Sequence, residues 1–292
     1  MACGIARIAQ AGRALAAVMG MRARKALDTL KALVALKAIK ALVAPKALMA
    51  HPGGPWRWPG QCALCRRWCR GGTCGDCDAL HPPDAHPRCA LCALRLPPGA
   101  AAADAPDPRS LRCGACARRP PPLSRCVAAM DYAFPWDRLL LALKFGEQLE
   151  VAPLLAGRLS LALARAGIDA PDLILPVPLS AERLRERGYN QAHEIARRLA
   201  WPQGTGEVER QSRLCARTLL RLRDTPQQAR LPLDERRRNL RGAFVVLKPV
   251  RGLRVAIVDD VMTSGATLHE AALALRRAGA ADVQAWVVAR TP

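Results

Sequence analysis

A chain of 292 residues that is 51% hydrophobic and 24% charged has enough apolar material for one or two packed domains, which excludes a wholly disordered protein. Its formal charge of +21 calls for an anionic partner: nucleic acid, a phosphorylated metabolite or an acidic membrane surface. Aromatic residues, at 4%, leave few platforms for base stacking, and no run of 18 uncharged apolar residues exists, so no transmembrane segment is expected.

Residues 1–60 stand apart as a low-complexity basic extension and linker. Five of the seven lysines lie in the first 50 residues, in a near-repeat of Lys-Ala-Leu (KALDTLKALVALKAIKALVAPKALMA) that favours helix by propensity. It reads either as a basic amphipathic helix for a membrane or partner, or as a loosely ordered extension. HPGGPWRWPG (51–60) is rich in breakers. Arg and Lys interrupt the N-terminal apolar run, so no signal peptide is expected and a reducing, cytoplasmic setting is.

Residues 61–126 carry four Cys-x-x-Cys pairs among Pro, Gly and Asp, with few aliphatic runs. Cys62, Cys65, Cys74 and Cys77 form one compact set; Cys89, Cys92, Cys113 and Cys116 form a second across a Pro-rich spacer. Two such turns deliver four soft thiolates to one tetrahedral zinc, and four ligands leave no open position, so such a site is structural. The pairs could also interleave between the two sets. Cys69 and Cys126 are left to local structure. With so little apolar material, the segment needs zinc for its folding energy.

From residue 127 the pattern becomes regular. VAAMDYAF (127–134), LILPVP (173–178), FVVL (244–247), LRVAIV (253–258) and VQAWVVA (283–289) read as strands. Helices are predicted over 136–144, 149–166, about 190–200 and 267–278, with Gly167 and Gly279 as stops. Uniformly apolar strands alternating with helices predict an α/β fold with a mainly parallel sheet covered on both faces, over 127–292.

The segment VAIVDDVMTSGAT (255–267) concentrates the chemistry. A buried strand ends in Asp259 and Asp260, and a loop of small and hydroxyl residues runs into a helix. Such a loop faces the ligand crevice at the carboxyl end of a parallel strand. Gly265 lets backbone approach a phosphate, and the amides from Thr263 to Thr267 with the hydroxyls of Thr263, Ser264 and Thr267 can surround it at a helix N-terminus. Acids beside a phosphate need ribose hydroxyls or a divalent cation to face. Arg183 and Arg187, one helical turn apart, read either as guanidinium groups aimed into this crevice or as solvated surface charges, with Gly188 and Asn190 turning the chain behind them. Lys144 reads as a crevice-edge or anion-contact residue, or as a snorkelling surface lysine. His193 and His269, without metal-spaced partners, read as structural.

The 255–267 segment resembles the phosphoribosyl-diphosphate (PRPP) signature of type I phosphoribosyltransferases. The resemblance assigns ribose contacts, and with them the catalytic role, to Asp259 and Asp260. It assigns phosphate contacts to Thr263, Ser264, Gly265, Ala266 and Thr267, Ser264 standing where Thr is more usual. Mg²⁺ is implied to accompany PRPP, and the Pro176–Ser180 loop is implied to contact pyrophosphate. LKFGEQ (143–148), LPVPLS (175–180), RERGYNQA (185–192), DTPQQ (224–228) and DERRRNLRGAF (234–244) follow the Cys-x-x-Cys region in an order that resembles the ComF family. That family joins a zinc module to a phosphoribosyltransferase-like domain and is associated with natural competence, the cytoplasmic handling of imported single-stranded DNA. The resemblance spans about residues 61–291. It implies that 224–241 is a hood over PRPP; by charge alone Arg236, Arg237, Arg238 and Arg241 read as a solvated face or as contacts for a nucleic-acid backbone. Three readings remain open: a PRPP-binding competence protein that handles single-stranded DNA, an active phosphoribosyltransferase of nucleotide metabolism, or a zinc- and DNA-binding scaffold that recruits competence proteins.

Overall fold

The computed structural model describes residues 60–70, 72–97, 110–200, 212–222 and 242–292, all within one unit that runs from Arg57 to Pro292. The N-terminal extension to residue 59 and the arginine-rich stretch 224–241 lie outside the described residues.

The Cys-rich part holds little regular structure. β1 (Gly60–Gln61) pairs antiparallel with β2 (Trp68–Cys69), and two short helices follow, α1 (Gly75–Leu80) and α2 (Gly114–Arg118). Both helices start directly after a cysteine, Cys74 or Cys113, and each buries one more, Cys77 or Cys116.

The α/β part runs β3 (Arg125–Asp131), α3 (Trp136–Phe145), a 3₁₀ turn (Leu149–Val151), α4 (Ala152–Arg165) and β4 (Leu173–Pro176). It continues with α5 (Ala181–Arg187), α6 (Gln191–Ala196), β5 (Arg213–Leu214), β6 (Leu219–Arg221), β7 (Phe244–Val246), β8 (Arg254–Met262), α7 (Ala266–Arg277) and β9 (Asp282–Arg290). Five strands form one parallel sheet in the order β3-β9-β8-β4-β5.

Alternation along these strands builds the two predicted faces. Leu173, Leu175, Val255, Ile257, Val283, Ala285 and Val287 point to one side, where they pack on Leu268, Ala271, Ala272 and Leu275 of α7. Ile174, Ala256, Val258, Trp286 and Val288 point to the other, against α3, α4 and α6. Trp286 is fully buried there, and each such side chain contributes about 1.5–3 kcal/mol by leaving water.

Two strands differ from expectation. Residues 244–246 are a strand, but they pair antiparallel with β6 in a separate ribbon. β8 does not stop at the two acids: its ladder with β9 continues past them to Met262, with Asp259 opposite Val287.

Candidate ligand site and metal centres

Adjacent parallel strands β8 and β4 open their carboxyl ends on the same side, in register at Pro176 and Val258. The loops that leave them flank a cleft of about 920 Å³. Asp259, Asp260, Thr263, Ser264 and Thr267 line it from the β8 side, and Arg183 and Arg187 line it from α5. The sequence-predicted residues therefore meet at one place. Gly265 and Ala266 sit behind the lining: Gly265 caps α7 with φ +76, and Ala266 is buried. The first-turn amides of α7 have no acceptors within the helix, and the Ala266 amide donates to the Ser264 hydroxyl at 3.4 Å.

At Gly265 a side chain would need the left-handed backbone region and would also meet the Met262 terminal methyl, so the turn itself calls for glycine.

The acids are held unequally. Asp260 is buried and stands 2.9 Å from Lys144 Nζ through Oδ2, a charge contact without aligned hydrogen-bond geometry, while its Oδ1 accepts the Val261 amide at 2.8 Å. Burial works against the Lys144 charge, but the facing Asp260 and then Asp259 outweigh it and hold the ammonium above the ordinary lysine value. Asp259 accepts the Asp260 amide at 2.9 Å. Burial and the neighbouring Asp260 charge push its carboxyl well above the usual range, so it favours a proton, a cation or hydroxyl donors.

The arginines are set by local caps. The Ser180 hydroxyl accepts the Arg183 amide at 3.3 Å to start α5, and Gly188 at φ +77 ends it. Asn190 then caps α6 by accepting the Ala192 and His193 amides, and its Nδ2 donates to the Val177 carbonyl at 2.9 Å, which anchors the loop after β4. Arg187 donates to Gln191 Oε1 at 2.6 Å and lies 5.3 Å above the Phe145 ring.

The cysteines resolve into two separate sets rather than interleaved ones. In each, Cys62/Cys65/Cys74/Cys77 and Cys89/Cys92/Cys113/Cys116, all four sulfurs lie within 4.8 Å of one another. Tetrahedral zinc with 2.3 Å bonds sets sulfurs about 3.8 Å apart. Cys65 and Cys74 are 3.6 Å apart and Cys92 and Cys113 are 3.7 Å apart, so each set could hold a zinc ion. Burial raises the Cys62 thiol, but backbone amides at Cys65, Cys74 and Leu64 outweigh it and bring it down to about 6. The Cys92 hydrogen bond, against burial, brings Cys89 down to about 4 and raises Cys92 in turn. Thiolates of this kind are what a soft cation needs. Cys69 and Cys126 belong to neither set.

Comparison with known proteins places the chain. The Phosphoribosyl transferase domain family matches residues 186–292. The DNA utilization protein YhgH of Salmonella typhimurium is 38% identical over 247 residues, covering 80% of this chain and 98% of that one. Its counterpart in Escherichia coli O157:H7 is 36% identical over the same shares. Competence protein F of Haemophilus influenzae is 36% identical over 172 residues, 54% of this chain and 69% of that one. The chain belongs to the ComF family.

Beyond the residues read from sequence, this ComF-family cleft is lined by Tyr132, Phe145, Arg221 and Arg290, and Lys144 takes its place at the edge. Tyr132 and Arg290 had a readable signal. Like Asp259, each follows an apolar run at the carboxyl end of a parallel strand, where side chains reach the crevice. Phe145 and Arg221 had none, since nothing local distinguishes them from other helix or ribbon residues. His193 is half-buried on α6, and burial keeps its imidazole below the usual value; among the described residues neither it nor His269 joins a metal-type cluster.

Proposed function

We propose that this chain binds PRPP with Mg²⁺ at the β8–α7 loop and acts in natural competence, in the handling of imported single-stranded DNA. One observation carries the ligand: two adjacent acids, a hydroxyl loop at a helix start and two arginines converge on one cleft at the carboxyl ends of neighbouring strands. The names of the relatives, DNA utilization protein and Competence protein F, support the context.

In this reading Asp259 and Asp260 accept the ribose hydroxyls, whose protons relieve the raised Asp259 carboxyl. The amides of 263–267 and the hydroxyls of Thr263, Ser264 and Thr267 hold the 5′-phosphate. Arg183 and Arg187 face the pyrophosphate, where bidentate guanidinium contacts suit its oxygens. Mg²⁺ bound with the ligand would neutralise the leaving group, and Lys144, 2.9 Å from Asp260 Oδ2, orients that carboxylate. Each four-cysteine set holds one structural zinc ion in a cytoplasmic protein.

Calorimetric titration with PRPP and Mg²⁺ tests this. A single site is expected in the wild type, weakened about tenfold or more in Asp259→Asn, which replaces one of the two carboxyl oxygens by an amide donor. Absence of heat from folded wild type overturns the reading. Pyrophosphate release, followed with and without single-stranded DNA, then separates turnover from ligand sensing. The reading as a DNA-binding scaffold draws on the excess of 36 basic over 23 acidic residues in 51–292, and is compatible with PRPP as a regulator.

A further inference from the structure

We propose that Arg290 is a positioning residue that ties the second four-cysteine centre to the β8–α7 loop, so that this centre, and not the first, sets the geometry of the cleft.

Arg290 ends β9 and lines the cleft. Its Nε donates to the Cys92 carbonyl at 3.0 Å, inside the second centre's Cys-x-x-Cys turn. Its Nη1 donates to the Met262 carbonyl at 3.3 Å and to the Thr291 carbonyl. Met262 is the last residue of β8, directly before Thr263. The same carbonyl also receives the Thr291 amide at 3.1 Å and hydroxyl at 3.0 Å. One planar guanidinium thus holds a metal-type knuckle with one edge and the entry to the loop with another, a two-direction reach that a lysine does not have.

Side chains reinforce the link. The Met262 methyl fills the space under Gly265, and its sulfur lies 3.7 Å from the Cys126 thiol. Cys126, on β3, donates its amide to the Ala90 carbonyl at 2.7 Å, next to Cys89. Arg88 pairs with Asp131 at 2.7 Å and donates to the Ala93 carbonyl at 3.0 Å. The second centre is therefore stitched to both ends of β3 and to the carboxyl end of β9. The first centre is attached elsewhere. Arg158 of α4 donates to the His81 carbonyl at 3.0 Å and to Asp78, and the His81 ring meets Phe134 and Trp136 edge to face at the start of α3.

The apolar support of the second knuckle is small: Leu91 and Leu96, with Leu94 and Leu111 partly buried, beside its own cysteines. Its shape then depends on the metal. Loss of that metal frees the Cys92 carbonyl, and with it the one anchor that ties Arg290 to the second centre. The part that concerns ligand affinity rests on the PRPP reading above; the part that concerns loop order does not.

The test compares full-length, zinc-loaded wild type with Cys113→Ser (second centre), Cys74→Ser (first centre), Arg290→Lys and Arg290→Gln. Zinc content, amide hydrogen exchange at 262–267 without ligand, and PRPP affinity are measured. Cys113→Ser, Arg290→Lys and Arg290→Gln are each expected to speed exchange at 262–267 and weaken PRPP by about tenfold or more, as loss of an orienting partner does. Cys74→Ser is expected to lose one zinc and leave both unchanged. Should Cys113→Ser fail to fold, the Arg290 variants, with both centres intact, decide alone. Full rescue by Arg290→Lys would assign Arg290 a charge role and overturn the link, as would unchanged exchange in both Arg290 variants, or an equal response in Cys74→Ser. A wild type that binds no PRPP would sink the ligand reading, while the exchange data would still decide the link.

Discussion

Lys144 is one of seven lysines in a chain with 38 arginines, so its presence at the cleft edge is not compositional accident. It meets a single carboxylate oxygen of Asp260, an arrangement suited to a compact ammonium rather than a fork. Removing it in Lys144→Met leaves Asp260 buried without a counter-charge beside a second acid. A loss of about 3 kcal/mol in urea unfolding is expected, largely restored in Lys144→Met/Asp260→Asn. The pH dependence has a definite sign. The folded-state pKa of Lys144 is raised above 10.5, so its share of stability is complete below that pH and lost as pH climbs through the raised value. Wild type and Lys144→Met should therefore converge in stability at strongly alkaline pH, and a constant gap would count against the pairing.

At the scale of elements, the loop after β4 depends on its neighbour α6. Asn190 caps that helix through Oδ1 and holds the Val177 carbonyl through Nδ2. Asn190→Ala should cost about 1–2 kcal/mol. Asn190→Asp keeps the cap but loses the donor, so it should retain thermal stability while weakening pyrophosphate binding in a competition titration. Equal behaviour of Asp and Asn at 190 would show that the loop stands without this bond. The sheet itself was legible because buried parallel strands need apolar residues on both faces, as in LILP and VAIV. Other features were hidden. The strand reads as ending in Asp259 and Asp260, yet it runs on to Met262 because β9 pairs through to Arg290. FVV reads like the sheet strands but packs against LLR, a half-exposed partner that no local pattern names. Spacing alone could not sort the eight cysteines, since all four pairs share one spacing and only the tertiary path separates the sets. In the site, loop residues and arginines were readable from their chemistry. Arg290 as a bridge was not, because its partners are backbone carbonyls far along the chain.

At the scale of the whole molecule, charge dominates the expected dealings with DNA. Arg236, Arg237, Arg238 and Arg241 crowd a segment of six residues. Their joint replacement by Ala in the full chain should weaken binding of single-stranded DNA and flatten its salt dependence, by a slope of roughly 0.7 for each phosphate no longer neutralised. Filter binding over a salt series reads this directly, and identical slopes would rule the segment out. If the same arginines cover PRPP, saturating PRPP should lower DNA affinity as well.

The strand order β3-β9-β8-β4-β5 carries a consequence for how this chain is made. The strand nearest the C-terminus is not at an edge; it lies between the first strand of the sheet and the one that bears the acids. Until residues 282–290 leave the ribosome, β3 has no partner in the sheet, and β8 keeps an open, apolar edge of the kind that invites aggregation. The growing chain must wait with its sheet divided. A premature stop in the codons for β9 would remove the middle of the sheet rather than trim a tail, leaving a product for proteases instead of a weakened protein.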